Sequence, residues 1–174
     1  MKILLLLHKR YFSIVEIIVL IFLSGCQKAA VSNNIQRDRV ITMYREYAKE
    51  WILVKGISVE ELQQRQEFVL VDVRLPEEVA VSFIPGAITK EQFENNLDRY
   101  QKTTIVVYCT IGYRSGKYAQ QLRQQGIEVL NLEGSLLAWS HAGGKLINET
   151  GPTKQIHVFN RNWQLTAEGY EAVW

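Results

Sequence analysis

Residues 106–122 read VVYCTIGYRSGKYAQQL, and two side chains in that stretch can do chemistry together. Cys109 follows an apolar, β-branched run, and Arg114 stands at the far end of the same short loop. A thiolate is a nucleophile, and a guanidinium is a permanent cation with a forked set of donors. Gly112 lies between them and admits backbone angles that other residues resist. A helix expected from about Ser115 would turn unpaired N–H groups toward the thiol. One residue would attack, and the other, with the amides, would hold the charge of what is attacked. The plainer alternative is a buried core cysteine and a surface arginine in a helix's first turn. A cation there opposes the helix dipole.

The elements that would position this loop follow from pattern. FVLVDV (68–73) and TTIVVY (103–108) are compact apolar runs and read as buried strands. IEVLNL (127–132) is a third strand. Ser58 with Glu61 three residues on is a capping box, placing a helix over about Val59 to Gln64. Pro76 with two acids behind it opens another helix. IPGAI is a turn before a very short strand, TKEQFENNLDRY is helical with Thr89 as a cap, and SGKYAQQLRQQG ends at Gly126. SLLAW is a short helix. Strands alternating with helices predict an α/β fold with a parallel sheet. In such sheets ligands sit beyond the carboxyl ends of the strands, where Cys109 stands. Ile35, Val40, Met43, Tyr44, Tyr47 and Trp51 have helical spacing, and nothing in that helix suggests chemistry. In the tail, Trp163, Tyr170 and Trp174 are expected to pack onto the domain rather than bind a ligand.

Composition narrows the function. The 174 residues carry a formal net charge of +2, which argues against nucleic acid as a partner. Two cysteines, Cys26 and Cys109, exclude a disulfide framework and a cysteine-rich zinc site. His8, His141 and His157 stand at no metal-ligand spacing, so neither metal nor cofactor is expected. At the N-terminus, Lys2, Lys9 and Arg10 precede an apolar run of seven residues, Ile17 to Leu23. That is the layout of a secretory signal, and it falls far short of the roughly 20 residues that span a bilayer. Leu23-Ser24-Gly25-Cys26 resembles the bacterial lipoprotein box, with Cys26 as the acylated residue. Glu16 inside the apolar stretch runs against it. An exported, lipid-anchored protein on the periplasmic side of a bacterial membrane is expected. Gln27 in place of an acid hints at the outer membrane. Cys109 would then be the sole thiol.

The stretch from Ile57 to about Lys145 resembles a single-domain rhodanese. FVLVDVRLPEEVAVSFIPGAI resembles the first family motif, IVVYCTIGYRS the active loop and LRQQGIEVLNLEGSLLAWSHAGGKL the closing motif. The resemblance implies a parallel five-stranded sheet with helices on both faces. It implies that Cys109 takes a sulfane sulfur, from thiosulfate or a persulfide donor, as a persulfide and passes it to a thiol or cyanide-like acceptor. The amides of Thr110, Ile111, Gly112, Tyr113, Arg114 and Ser115 would cradle that sulfur. Asp72, Arg74 and Glu78 would be structural residues near the site, with Arg74 paired to an acid such as Glu78. Six residues from Cys109 to Arg114 is the sulfur-handling length, one fewer than in related phosphatases. Ser82-Phe83 replaces the usual Gly-His and is expected to alter the rim. Gly134-Ser135 replaces the usual Gly-Gly. Bulky Ile111 and Tyr113 are expected to turn substrate choice away from small, highly charged donors. The organisation read from all this is a signal peptide over 1–25, a tether over 26–34, a helical extension over 35–55, a rhodanese-like domain over 56–150 and an aromatic tail over 151–174. A non-catalytic binding or scaffold module and a redox- or sulfide-sensing thiol are the alternatives.

Overall fold

The computed structural model describes residues 32–174, so Cys26, the apolar run before it and the first part of the tether lie outside the described residues. A parallel sheet of five strands organises the chain, in the order β1 (Lys55–Ile57), β5 (Val129–Leu132), β4 (Ile105–Tyr108), β2 (Val69–Asp72), β3 (Ile88–Thr89). The register pairs Val71 with Val107 and Val107 with Asn131, which sets the ends of the three central strands side by side.

Strand alternation sorts the core onto two faces. Val106 and Tyr108 face one apolar cluster, with Val40, Leu62, Leu132, Leu136 and Leu137. Ile105 and Val107 face the other, with Phe93, Tyr118, Ala119 and Leu122. The first face is covered by helix α1 (residues 32–48), α2 (Val59–Gln64) and α6 (Ser135–His141). The second is covered by α4 (Lys90–Glu94) and α5 (Tyr113–Gln124). α3 (Pro76–Val81) follows β2 directly.

The expected caps are present. Ser58 accepts from the Glu61 amide at 3.1 Å, the Glu61 carboxylate accepts from the Ser58 amide at 2.9 Å, and Thr89 with Gln92 repeats the device. α4 stops at Glu94 and a 3₁₀ turn (Leu97–Tyr100) replaces the rest of the expected helix. The short edge strand β1 was not read from the sequence, because LVKGI carries no alternation and only Ile57 is buried in it.

Residues 32–34, read as part of a tether, are helical, and the Asn33 side chain bonds the His141 ring at 2.8 Å. Val40, Tyr44 and Trp51 from the N-terminal segment are buried. Beyond α6 the chain forms an antiparallel pair, β6 (Leu146–Asn148) with β7 (Gly151–Thr153). A parallel pair follows, β8 (Gln155–His157) with β9 (Glu171–Val173). Ile156, Val158 and Leu165 of the tail are buried in the first cluster, and Trp163 and Tyr170 pack against it. Trp174 departs from the expectation: it is 54% exposed, beneath the Arg161 guanidinium.

Candidate active site

Cys109 is the first residue after β4, at the carboxyl end of the sheet, and its thiol is free and buried. The loop that follows curls back over it. Gly112 has φ 102° and caps α5, whose first residue is Tyr113, two earlier than expected. A side chain at 112 is excluded twice: the backbone lies in the left-handed region, and a Cβ would stand 2.6 Å from the Tyr44 ring. The curl brings the Gly112 N–H to 3.2 Å from the Cys109 Sγ, to which it donates. This amide and the start of α5 stabilise negative charge at the sulfur.

Three polar residues hold the curl. Asn131 on β5 donates to the Gly112 carbonyl at 2.9 Å and accepts from the Ser115 hydroxyl at 2.7 Å. Ser115 has one O–H, and the shorter contact directs it to Asn131, so its 3.6 Å approach to Sγ is a contact with the lone-pair side. Ser135 accepts the Cys109 N–H at 3.1 Å, from a backbone at φ 48°. The carbonyls of Cys109 and Thr110 are taken by the amides of Leu136 and Leu137. With its carbonyls bound outward, the loop turns an amide inward. In the sequence Ser135 stands only as a departure from the family's Gly-Gly, away from the nucleophile, and that is corrected, since it holds the Cys109 amide. Asn131 was not singled out, and an Asn in an apolar strand was the available signal.

Arg114 does not stand free. Its two terminal nitrogens bond both carboxylate oxygens of Glu78, at 2.6 and 2.7 Å. Glu78 also accepts from the Leu75 amide at 2.9 Å. The expected pairing of Arg74 with Glu78 is corrected: Arg74 pairs with Asp72, Nε to Oδ1 at 2.9 Å and Nη2 to Oδ2 at 2.6 Å. Its remaining N–H groups reach the carbonyls of Glu78 (3.3 Å) and Ser82 (2.5 Å). Asp72 ends β2 two residues before Arg74, and its Oδ1 accepts both the Arg74 backbone N–H at 3.0 Å and the Nε, so the nearer acid holds the guanidinium. The Asp72–Arg74 pair thus ties β2 to the middle and the C-terminal cap of α3, and α3 presents Glu78 to Arg114.

Burial pushes the Glu78 carboxyl up, and the hydrogen bonds from Arg114 and Leu75 outweigh it, leaving the group below the ordinary carboxylate range. A depressed carboxyl contributes stability above its unfolded value, about 4.3, and loses it as pH falls through the lower folded value. Arg114 is 41% exposed, and screening keeps the pair to about 1 kcal/mol. Glu78→Gln is expected to unfold at lower urea concentration than the parent at pH 7, with the gap closing in acid. A gap that persists at about pH 2 would contradict this.

Above the thiol is a cavity of about 520 Å³. Leu75, Glu77, Glu78, Cys109, Thr110, Ile111, Tyr113, Arg114, His157, Phe159 and Trp163 line it. Three of these come from the tail, which was expected only to pack. Ile111 and Tyr113, expected to shape substrate choice, both line this cavity; Ile111 is otherwise buried, and the Tyr113 ring lies against Tyr47 and Trp51. Ser82 and Phe83 are not on the rim: Ser82 is buried, and Phe83 pairs with Ile147 in an antiparallel bridge. A larger concavity of about 760 Å³ lies at the opposite ends of the strands, beside Ile105 and Val129, and holds no thiol.

This geometry agrees with what comparison with other proteins returns. The rhodanese-like domain matches residues 58–142. A sulfurtransferase of Allochromatium vinosum is 34% identical over 110 residues, which is 57% of this chain and 100% of that protein. The chain belongs to the rhodanese-like family. An uncharacterised Synechocystis protein is 39% identical over 90 residues, 49% of this chain, and this chain spans 50% of that relative's length. A thiosulfate sulfurtransferase of Pseudomonas aeruginosa superimposes with a TM-score of 0.52 at 24% identity, over 71% of this chain and 25% of that one. It shares the rhodanese fold. The matched segment ends at residue 142, before His157, Phe159 and Trp163 of the cavity.

Proposed function

We propose that this rhodanese-like protein is a sulfurtransferase that carries sulfane sulfur as a persulfide on Cys109. The observation that carries the reading is the Gly112 amide 3.2 Å from a free thiol at the floor of an open cavity. The Cys109 thiolate attacks the outer sulfur of the donor. A bond forms between the two sulfurs, the donor's own S–S bond breaks, and the leaving group departs with the electron pair. Thiosulfate would leave sulfite, and a persulfide would leave a thiolate. The amides of the loop then face the terminal sulfur of the persulfide, where its charge sits. A thiophilic acceptor removes that sulfur and restores the thiolate. Glu78 holds Arg114 in place beside the sulfur. Intact-mass analysis of purified protein after incubation with a sulfane donor tests this. A gain of one sulfur atom, mapped to Cys109, is expected; an unchanged mass with every donor tried sinks it.

We further propose that the protein is exported and anchored by lipid at Cys26, on the motif ending at that residue. Among the described residues no helix is long and apolar enough to cross a membrane. Metabolic labelling with a fatty acid should mark the parent and not Cys26→Ala; equal labelling of both would exclude the anchor.

A further inference from the structure

We propose that the sulfur donor is an organic sulfane compound bearing an apolar group, and that Phe159 and Trp163 of the tail bind that group. The proposal rests on the Cys109 persulfide reading above and names its substrate class.

The wall of the cavity is apolar where it meets solvent. Phe159 is 79% exposed and Leu75 is 53% exposed, both at the cavity over the thiol. The Phe159 ring meets Trp163 edge to face, with centroids 6.3 Å apart. The rings are not there by accident of a loose end. Ile156 and Val158, the residues flanking His157, are fully buried, and they hold this segment beside α3. The fold therefore anchors the tail firmly, leaves Phe159 bare and Trp163 half-buried, and sets both rings at the cavity that Cys109 lines. Exposed apolar surface at the mouth of a cavity marks a binding surface.

The charges of the cavity point the same way. Its carboxylates are Glu77 and Glu78, and its one guanidinium, Arg114, is bonded at both terminal nitrogens to Glu78. His157, in the same wall, has its Nδ1 3.7 Å from the Glu78 Oε1. A thiosulfate dianion entering here meets two carboxylates and the Cys109 thiolate against a cation already engaged. A hydropersulfide R–S–SH or a thiosulfonate R–SO₂–S⁻ carries less charge and offers an apolar R to the two rings. The step balances in each case. Cys109–S⁻ and R–S–SH give Cys109–S–SH and R–S⁻. Cys109–S⁻ and R–SO₂–S⁻ give Cys109–S–S⁻ and the sulfinate R–SO₂⁻. One S–S bond forms as another breaks, and no outside oxidant or reductant takes part.

Benzenethiosulfonate and thiosulfate make the decisive pair, since a phenyl group in one replaces a charged oxygen in the other. The rate of Cys109 persulfide formation on the full chain is measured by rapid quench and mass spectrometry for each donor. The ratio of the two rates is divided by the same ratio for free glutathione, which removes intrinsic reactivity. The corrected ratio should favour benzenethiosulfonate by about thirtyfold. Phe159→Ala removes a largely exposed ring and should lower the ratio about fivefold. Glu77→Lys should lower it too, by accelerating thiosulfate. A corrected ratio of one or less, or a ratio unmoved by Phe159→Ala, overturns the proposal. Persulfide formed from thiosulfate alone overturns only this inference, whereas none from either donor overturns the Cys109 reading with it.

Discussion

Cys109→Ser is expected to abolish persulfide formation and to lower sulfur transfer at least a thousandfold or so, with little change in stability. The thiol is buried beneath the Gly112 amide, and a serine hydroxyl is smaller and fits the same space. Its oxygen stays protonated at neutral pH and forms no stable bond to a sulfane sulfur, so the variant keeps the loop and loses the chemistry. The measurement is turnover with a sulfane donor and a thiol acceptor, beside thermal unfolding of the same preparation. Activity retained in the serine variant would move the reaction away from this residue. Inactivity accompanied by unfolding would leave the role of the thiol undecided between site and core, and Cys109→Ala then separates the two, since alanine tests packing without a polar atom.

Asp72→Asn should produce the largest loss of stability, about 3–5 kcal/mol, read as a fall in the denaturant midpoint. Both partners of the pair are out of solvent: the Arg74 side chain is 0% exposed and the Asp72 side chain 1%. Removing the carboxylate's charge leaves a guanidinium in the core with neutral partners only: the amide oxygen that the substitution keeps, the carbonyls of Glu78 and Ser82, and the face of Tyr108. That is the expensive situation, because the charge stays desolvated while its compensation is gone. Arg74→Met removes the cation instead and leaves two carbonyls without their donor. Combining the two changes should cost clearly less than their sum, since the worst element, an unpaired buried charge, is absent from the double variant. Strict additivity would mean that the two groups do not act as a pair. The same variants bear on the site. α3 is held to β2 through Arg74, and α3 carries Glu78, so a loosened α3 should also loosen the grip on Arg114.

Much of the sheet could be read before any coordinates, and particular residues show why. Ile105–Tyr108 is a compact apolar run, and Ser58–Glu61 and Thr89–Gln92 are caps that close within four residues. Such signals are local, so sequence neighbours suffice to decide them. β1 escaped because three residues with one buried side chain carry no period. The site divides in the same way. Cys109, Gly112 and Arg114 share one loop, and their spacing already implied a nucleophile under backbone amides.

What the sequence determined by itself, then, is the parallel α/β plan and the position of the thiol at a strand's carboxyl end. The tertiary structure alone decided which acid holds which arginine. Glu78 lies 36 residues from Arg114 and only four from Arg74, yet it is Arg114 that it binds, because Asp72 already occupies Arg74. The tertiary structure alone also brought Asn131 beneath the loop and set Phe159 and Trp163 at the cavity that Cys109 lines. Distant partners like these are chosen by how layers pack and by which charges are satisfied first, and neither quantity is written in the spacing of a few neighbouring residues.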